Sequence, residues 1–319
     1  MKRRDFAGGM AALYGMAHAA STYPAKPIRC ILGYAAGGAS DTLVRIVAEG
    51  MQAGLGTTIV VDNRPGASGN IGVAALMQSA PDGYTLLHGE NSTLFTNEFL
   101  FPKLPYNPDR DFTYIGAIGR VPFTLVVHPS FPARTLVEFV AYVKANPGKV
   151  NYGTPGAGSP QRIAMEMFQS TYGLKLTHVA YKGGAPALFD VRSGQIEAMM
   201  TDLSIGLQPI RDGSVRALAV SAPSRVASIP DIPTFAEAGF TNNAFTLHGL
   251  LGPAGMPRDI VERLNTELNK ALHTPKAVQQ FANTGLQPTP GTPLEFQQMV
   301  RAERARIGPV IKAAGIKAE

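Results

Sequence analysis

Residues 28–51, IRCILGYAAGGASDTLVRIVAEGM, decide the fold. Residues 28–32 form a short, continuous apolar run, the pattern of a strand covered on both faces. A glycine-rich loop from Gly33 to Gly38 follows. Beyond it Leu43, Val44, Val47 and Met51 recur at helical spacing along one face. Strand, loop and helix in that order make the unit of a parallel α/β sheet, and the unit repeats. A strand over 59–62, a helix over 70–80, a Pro81-Asp82-Gly83 turn and a strand over 84–88 continue it.

The same rhythm restarts further along. Strands are expected over 123–127, 150–152, 177–181, 196–201 and 215–220, separated by helices over 135–145, 160–171, 186–192 and 204–211. After residue 245 come a strand over 245–251 and helices over 257–272, 275–283 and 293–314. This tail supplies elements that the three-stranded first segment lacks, so it is expected to return there. The reading is α/β with two lobes: lobe 1 from 21–122 and 246–319, lobe 2 from 123–245. Two crossings, near 119–123 and 240–245, would form a hinge over a cleft.

Composition narrows the function. With 319 residues, 45% hydrophobic and 16% charged, the chain can bury a substantial core, which excludes a disordered protein. No apolar stretch reaches the roughly 18 residues of a membrane-spanning helix. Lysine and arginine exceed the acids by 29 − 23 = 6, without a basic run or a basic stripe interleaved with aromatics, so nucleic acid is not expected as a partner. Residues 2–6, Lys-Arg-Arg-Asp-Phe, precede a weakly apolar run over 7–16 and the small-x-small triplet Ala17-His18-Ala19. This reads as an export signal over 1–20, closest to a twin-arginine leader, which places the mature chain in the periplasm. Cys30 is the single cysteine, so an intrachain disulfide is impossible.

Four strand-end loops could hold an anion. The first is the Gly33–Asp41 stretch, where glycines admit a ligand to the backbone and a helix N-terminus offers partial positive charge. The second, residues 152–160, has Ser159 as a natural N-cap and Pro160 as a natural first helical residue. Residues 181–186 carry Lys182 and two glycines before a helix. Glu90-Asn91-Ser92-Thr93 offers neutral donors and acceptors. In open α/β sheets ligands sit beyond the carboxyl ends of the strands, where all four loops fall.

Enzyme signatures are missing. The nearest dinucleotide match, residues 156–161, lacks its third glycine, and Gly66-Ala67-Ser68-Gly69-Asn70 breaks the nucleophile-elbow pattern at asparagine. The histidines at 18, 88, 128, 178, 248 and 273 are never within five residues of one another, so each reads as structural or surface rather than as a metal ligand.

Seven motifs carry a resemblance: Tyr23-Pro24-Ala25-Lys26-Pro27-Ile28, Gly37-Gly38-Ala39-Ser40-Asp41, Val61 to Gly72 (VDNRPGASGNIG), Pro81-Asp82-Gly83-Tyr84, Ala145 to Gly153 (ANPGKVNYG), Tyr181 to Leu188 (YKGGAPAL) and Pro230 to Gly239 (PDIPTFAEAG). In this order they resemble the Bug (TctC) family of periplasmic solute receptors for tripartite tricarboxylate transporters, over essentially the whole mature chain. The resemblance implies a non-enzymatic protein of two-lobed type II periplasmic-binding-protein fold, monomeric and without cofactor or metal. It would close on a small carboxylate, an organic acid or amino acid, and present it to permease subunits. A sensor role toward a membrane kinase is the alternative that the same pocket allows.

Carried over by position, the ligand contacts are Tyr34, Gly37, Gly38, Ala39, Ser40 and Asp41 in the first loop, and Asn91, Ser92 and Thr93 in the second. Thr154, Gly156, Ala157, Gly158 and Ser159 come from the third, with Arg162 just beyond it. Lys182, Gly183, Gly184 and Asp202 complete the cleft. Asp202 is expected to accept hydrogen bonds from an ammonium, a hydroxyl or water, since a bare carboxylate would repel another. The chain departs from the family in lacking two first-loop prolines and gaining the Tyr34 phenol. Arg162 stands where histidine is usual, and no tryptophan lies near Leu247-His248-Gly249.

Overall fold

The computed structural model describes residues 23–317, so the expected export signal lies outside the described residues. In chain order the elements are β1 (Ile28–Leu32), α1 (Ala39–Leu55), β2 (Ile59–Asn63), α2 (Asn70–Met77), β3 (Thr85–Glu90), α3 (Asn97–Leu100), β4 (Phe112–Val127), α4 (Leu136–Ala145), β5 (Asn151–Thr154) and α5 (Pro160–Tyr172). There follow β6 (Thr177–Ala180), α6 (Gly184–Ser193), β7 (Ala198–Asp202), α7 (Leu203–Arg211), β8 (Arg216–Val220), β9 (Phe245–Pro253), α8 (Arg258–Ala271), α9 (Pro275–Thr284), β10 (Gln287–Pro288) and α10 (Pro293–Ala313).

β1 pairs in parallel with both β2 and β3, as a strand-loop-helix repeat requires. The full path is β2-β1-β3-β9-β4-β7-β5-β6, with β8 and β10 also on β4. β4 is the member common to both ends. Its first part pairs antiparallel with β9, from Phe112↔Pro253 to Pro122↔Phe245. From Phe123 onward it pairs with β7 and β8. The sequence reading placed a strand only over 123–127, because Gly116, Gly119, Arg120 and Pro122 interrupt the apolar pattern of the first part. Those residues are accommodated by irregular register against β9 between Tyr114 and Gly116 and between Ala117 and Gly119.

Each part has its own core. Cys30, Val44, Val47, Met51, Leu86, Leu264 and Leu268 close the space between the β1 end of the sheet and helices α1 and α8. Gly50 sets that helix crossing: a Cβ there would lie 2.8 Å from the Ala271 Cβ, so the backbones meet where no side chain fits. Phe123, Leu125, Phe139, Tyr152, Met165 and Phe168 form the second core. A third cluster brings Ile163 of α5 against Leu247, Phe296 and Ile307. Truncating a fully buried leucine such as Leu268 in such a core costs about 2–5 kcal/mol.

The strand ends are tied together where β4 changes partners. Ser221 Oγ accepts from the Phe123 N–H at 2.8 Å and donates to the Ala244 carbonyl at 2.6 Å. Asn91 grips the start of β9, donating to the Phe245 carbonyl at 2.8 Å and accepting from the Leu247 N–H at 2.7 Å. Both side chains are buried.

Candidate functional site

Four helix N-termini converge on one cavity of about 300 Å³. Ala39 and Ser40 reach it from α1, Ser159, Pro160 and Gln161 from α5, Gly184 and Ala185 from α6, and Asp202 and Ser204 from α7. Its floor carries Glu90 at the end of β3 and His248 on β9, and Leu43, Val121, Ile205 and Leu286 supply apolar wall. Each of the four loops singled out in the sequence thus contributes to one cavity.

The termini differ in how their amides are used. α1 has Gly38 as N-cap with no side chain bonded to the first-turn N–H groups, and α6 is likewise uncapped at Gly183. At α5 the Ser159 hydroxyl accepts from the Arg162 N–H at 3.3 Å, satisfying one donor internally. At α7 the N-cap Asp202 makes no cap hydrogen bond and turns its carboxylate into the cavity. There Oδ2 accepts from Gln161 Nε2 at 2.5 Å and Oδ1 from the Thr246 hydroxyl at 3.4 Å.

Several residues expected to touch ligand are engaged elsewhere. Asp41 turns back on its own loop: Oδ2 accepts from the Gly37 N–H at 3.0 Å and from Arg45 Nε at 2.9 Å, and Oδ1 from Asn63 Nδ2 at 2.9 Å. It is a latch that holds Gly37 at φ +80°, and the Arg45 hydrogen bond keeps its carboxyl down at about 2. The Tyr34 hydroxyl bonds Ser92 Oγ, so both are spoken for, and burial holds the phenol well above its ordinary range. Thr93 Oγ1 accepts from the Glu90 N–H at 3.1 Å, and Asn91 clamps β9. None of Tyr34, Asn91, Ser92 and Thr93 lines the cavity.

On the other side Thr154 Oγ1 is 3.0 Å from the Gly156 carbonyl, to which it donates, and 2.7 Å from His178 Nε2. Gly156, Ala157 and Gly158 shape the turn without reaching the lining, while Pro155 does reach it. Arg162 points back, donating from Nη1 to the Ala157 carbonyl at 3.2 Å, with Nε 3.7 Å from Glu166. Lys182 lies outside the lining, as does Gly183, whose N–H donates to the Pro155 carbonyl at 2.9 Å. Gly37 and Gly38 also set loop geometry rather than wall. Of the expected residues, Ala39, Ser40, Ser159, Gly184 and Asp202 form the lining.

What the sequence reading missed is the floor. Side-chain direction alternates along a strand, so His88 and Glu90 share one face of β3 while Asn91 departs from it. The antiparallel register sets Glu90 directly opposite His248 on β9. His88 Nε2 is 3.1 Å from His248 Nδ1, and the rings stack with centroids 5.2 Å apart. No local spacing links these two histidines: strand pairing joins residues 160 positions apart in sequence. The period-2 placement of His88 and Glu90 was the available signal, but only the β3–β9 pairing reveals the third member.

The electrostatics are unusual for an anion site. Among the described residues the lining includes Glu90 and Asp202 and no lysine or arginine. Burial, opposed by the Ser40 hydrogen bond and reinforced by the charge of Asp202, raises Glu90 to about 7. Burial raises Asp202 to about 6. His248 is pushed down to about 3 and His88 well below its usual value, again by burial. Positive potential comes from the helix termini, each equivalent to roughly half a charge.

A family model described as "Tripartite tricarboxylate transporter family receptor" matches residues 43–316. Protein BugT of Bordetella pertussis is 35% identical over 300 residues, covering 93% of this chain and 92% of that protein. An R. palustris protein solved with adipate superposes with a TM-score of 0.81 at 31% identity, over 92% of this chain and 99% of that one. MatC from Rhodopseudomonas palustris with bound malate gives a TM-score of 0.76 at 30% identity, over 91% and 100%.

Proposed function

The chain belongs to the tripartite tricarboxylate transporter receptor family, whose members are periplasmic solute-binding proteins and not enzymes, and from that premise we propose that it captures a small carboxylate in the cavity and delivers it to a tripartite transporter. The observation that carries this reading is the convergence of uncapped helix N-termini from both sides of the β4 partner switch on one cavity. A carboxylate there accepts from backbone amides at the starts of α1 and α6, and the carboxyl group of Asp202 faces a hydroxyl or an ammonium on the solute, or ordered water. The neighbours solved with malate and with adipate support a solute of that size, four to six carbons with a carboxylate at each end.

The two halves, 21–122 with 246–319 and 123–245, close about the points where β4 and the start of β9 cross. Residue Ser221, bonded to Phe123 and Ala244 at once, supports a joint there. Each charge-assisted hydrogen bond contributes about 1.5–3 kcal/mol once water is excluded, so the closed state binds and the open state binds weakly. Delivery to permease subunits places the mature chain in the periplasm.

A thermal-shift screen of malate, adipate and related mono- and dicarboxylates tests this. A true ligand at 100 times its dissociation constant adds about 2.7 kcal/mol of stability. Ala39→Pro is the diagnostic variant, because proline is accepted at the first helical position yet removes one amide donor. It should fold normally and weaken binding about tenfold or more. Shifts that are the same in Ala39→Pro would remove α1 from the site, and no shift with any carboxylate would end the reading.

A further inference from the structure

We propose that the cavity floor is a metal site: His88, His248 and Glu90 hold one zinc-class divalent cation whose remaining coordination position faces the cavity and accepts the solute carboxylate. The ion site stands on this chain's residues alone. Only its use in holding a carboxylate rests on the function proposed above.

The geometry is that of a partly formed cage. One ligand atom from each of the three residues lies within 4.8 Å of the others. A tetrahedral zinc with bonds of about 2.0–2.1 Å spaces its ligand atoms about 3.3 Å apart, so the imidazole nitrogens, at 3.1 Å, already stand at the required separation. Glu90 Oε2 accepts from Ser40 Oγ at 2.9 Å, so the carboxylate has to turn from Ser40 toward the imidazoles to complete the set. The backbone beneath is rigid, with Glu90 and His248 directly opposite in the β3–β9 ladder and His88 one period back on the same face. Two nitrogens and one carboxylate oxygen form the donor set of open zinc sites, which leave a fourth position for water or a substrate oxygen. Glu90 and His248 both reach the cavity surface, so that position opens into it.

Two further observations count against a purely structural pair. His88 and His248 are both buried, at 1% and 5% exposure, yet share a single hydrogen bond. The cavity also gathers two carboxyl groups with no lysine or arginine in its lining. A solute dianion there meets repulsion that a divalent cation cancels.

The test uses tag-free protein stripped with EDTA. Titration with Zn²⁺ should show one ion per chain, and Co²⁺ should give the intense visible bands of a four-coordinate site. His248→Ala and His88→Leu should each weaken Zn²⁺ about 100-fold or more, and Glu90→Gln about tenfold or more. Absence of saturable Zn²⁺ binding, or a Co²⁺ spectrum like that of the aqueous ion, overturns the proposal even if a variant fails to fold. So does Zn²⁺ binding that survives both histidine substitutions. Carboxylate thermal shifts recorded with Zn²⁺ and with EDTA complete the test: shifts that need Zn²⁺ support the shared site. Equal shifts in EDTA overturn the metal's role in solute binding while leaving the receptor reading intact.

Discussion

The loops before α1 and α5 look alike as sequence, both glycine-rich and both ending on a serine near a helix start, but they spend their hydrogen bonds differently. The first is latched by Asp41, in the first turn of α1, against Gly37, Arg45 and Asn63, and its N-cap Gly38 has no side-chain cap. The second is capped by its own Ser159 and begins with Pro160, so its donors are largely settled before any ligand arrives. Composition cannot distinguish these cases. What decides is where the polar side chain nearest the helix start finds its partner, and a free N-terminus follows when that partner lies elsewhere.

Removing each device should therefore have unequal effects. Asp41→Ala should be the most damaging, at about 2–4 kcal/mol in urea unfolding at neutral pH, since it deletes three hydrogen bonds to a buried carboxylate. Its pH dependence identifies the cause. A carboxyl held at about 2 confers stability above its unfolded value near 4 and loses it as pH falls through 2, so wild type and variant should converge at the acid end. A gap that persists at pH 2 would assign the effect to packing.

Asp202→Asn should act in the opposite direction. Burial raises this carboxyl to about 6, so the folded state is favoured when it is protonated and loses stability as pH rises through 6. The variant should be more stable than wild type by roughly 1–3 kcal/mol at pH 8 and equal to it near pH 4. Glu90, across the cavity and raised to about 7 in part by the charge of Asp202, titrates in the same range, so the difference between the two proteins also contains the relief of Glu90 when that charge is removed. A destabilised Asp202→Asn at pH 8 would mean that the Gln161 and Thr246 contacts outweigh the buried charge.

Ser159→Ala should have the smallest effect, about 1 kcal/mol from loss of one N-cap bond, with solute affinity nearly unchanged. A large loss of affinity would move the second loop from support to direct contact and erase its contrast with the first.

The sequence disclosed most of the framework because its signals are local. Residues 28–32, Pro160 at a helix start and the tail helices all announce themselves within a few positions. The first part of β4 stayed hidden because its glycines, arginine and proline read as loop, and only pairing with β9 makes a strand of them. The site was legible at its loops and illegible at its floor. Asn91, Ser92 and Thr93 look like ligand donors, yet their partners are backbone and neighbouring side chains. Glu90, one residue earlier and on the inward face, is the group that reaches the cavity. Long-range register assigns such roles, and no window of sequence contains it.

The central claim is that backbone amides from both halves grasp one carboxylate solute. Its most direct test is a titration of ¹⁵N-labelled protein with the dicarboxylate that gives the largest thermal shift, following the amides of Ala39, Ser40, Gly184 and Ala185. The account predicts that all four move together, saturating at one solute per chain. Saturable binding that shifts amides of α1 or α6 alone, or neither, would contradict it.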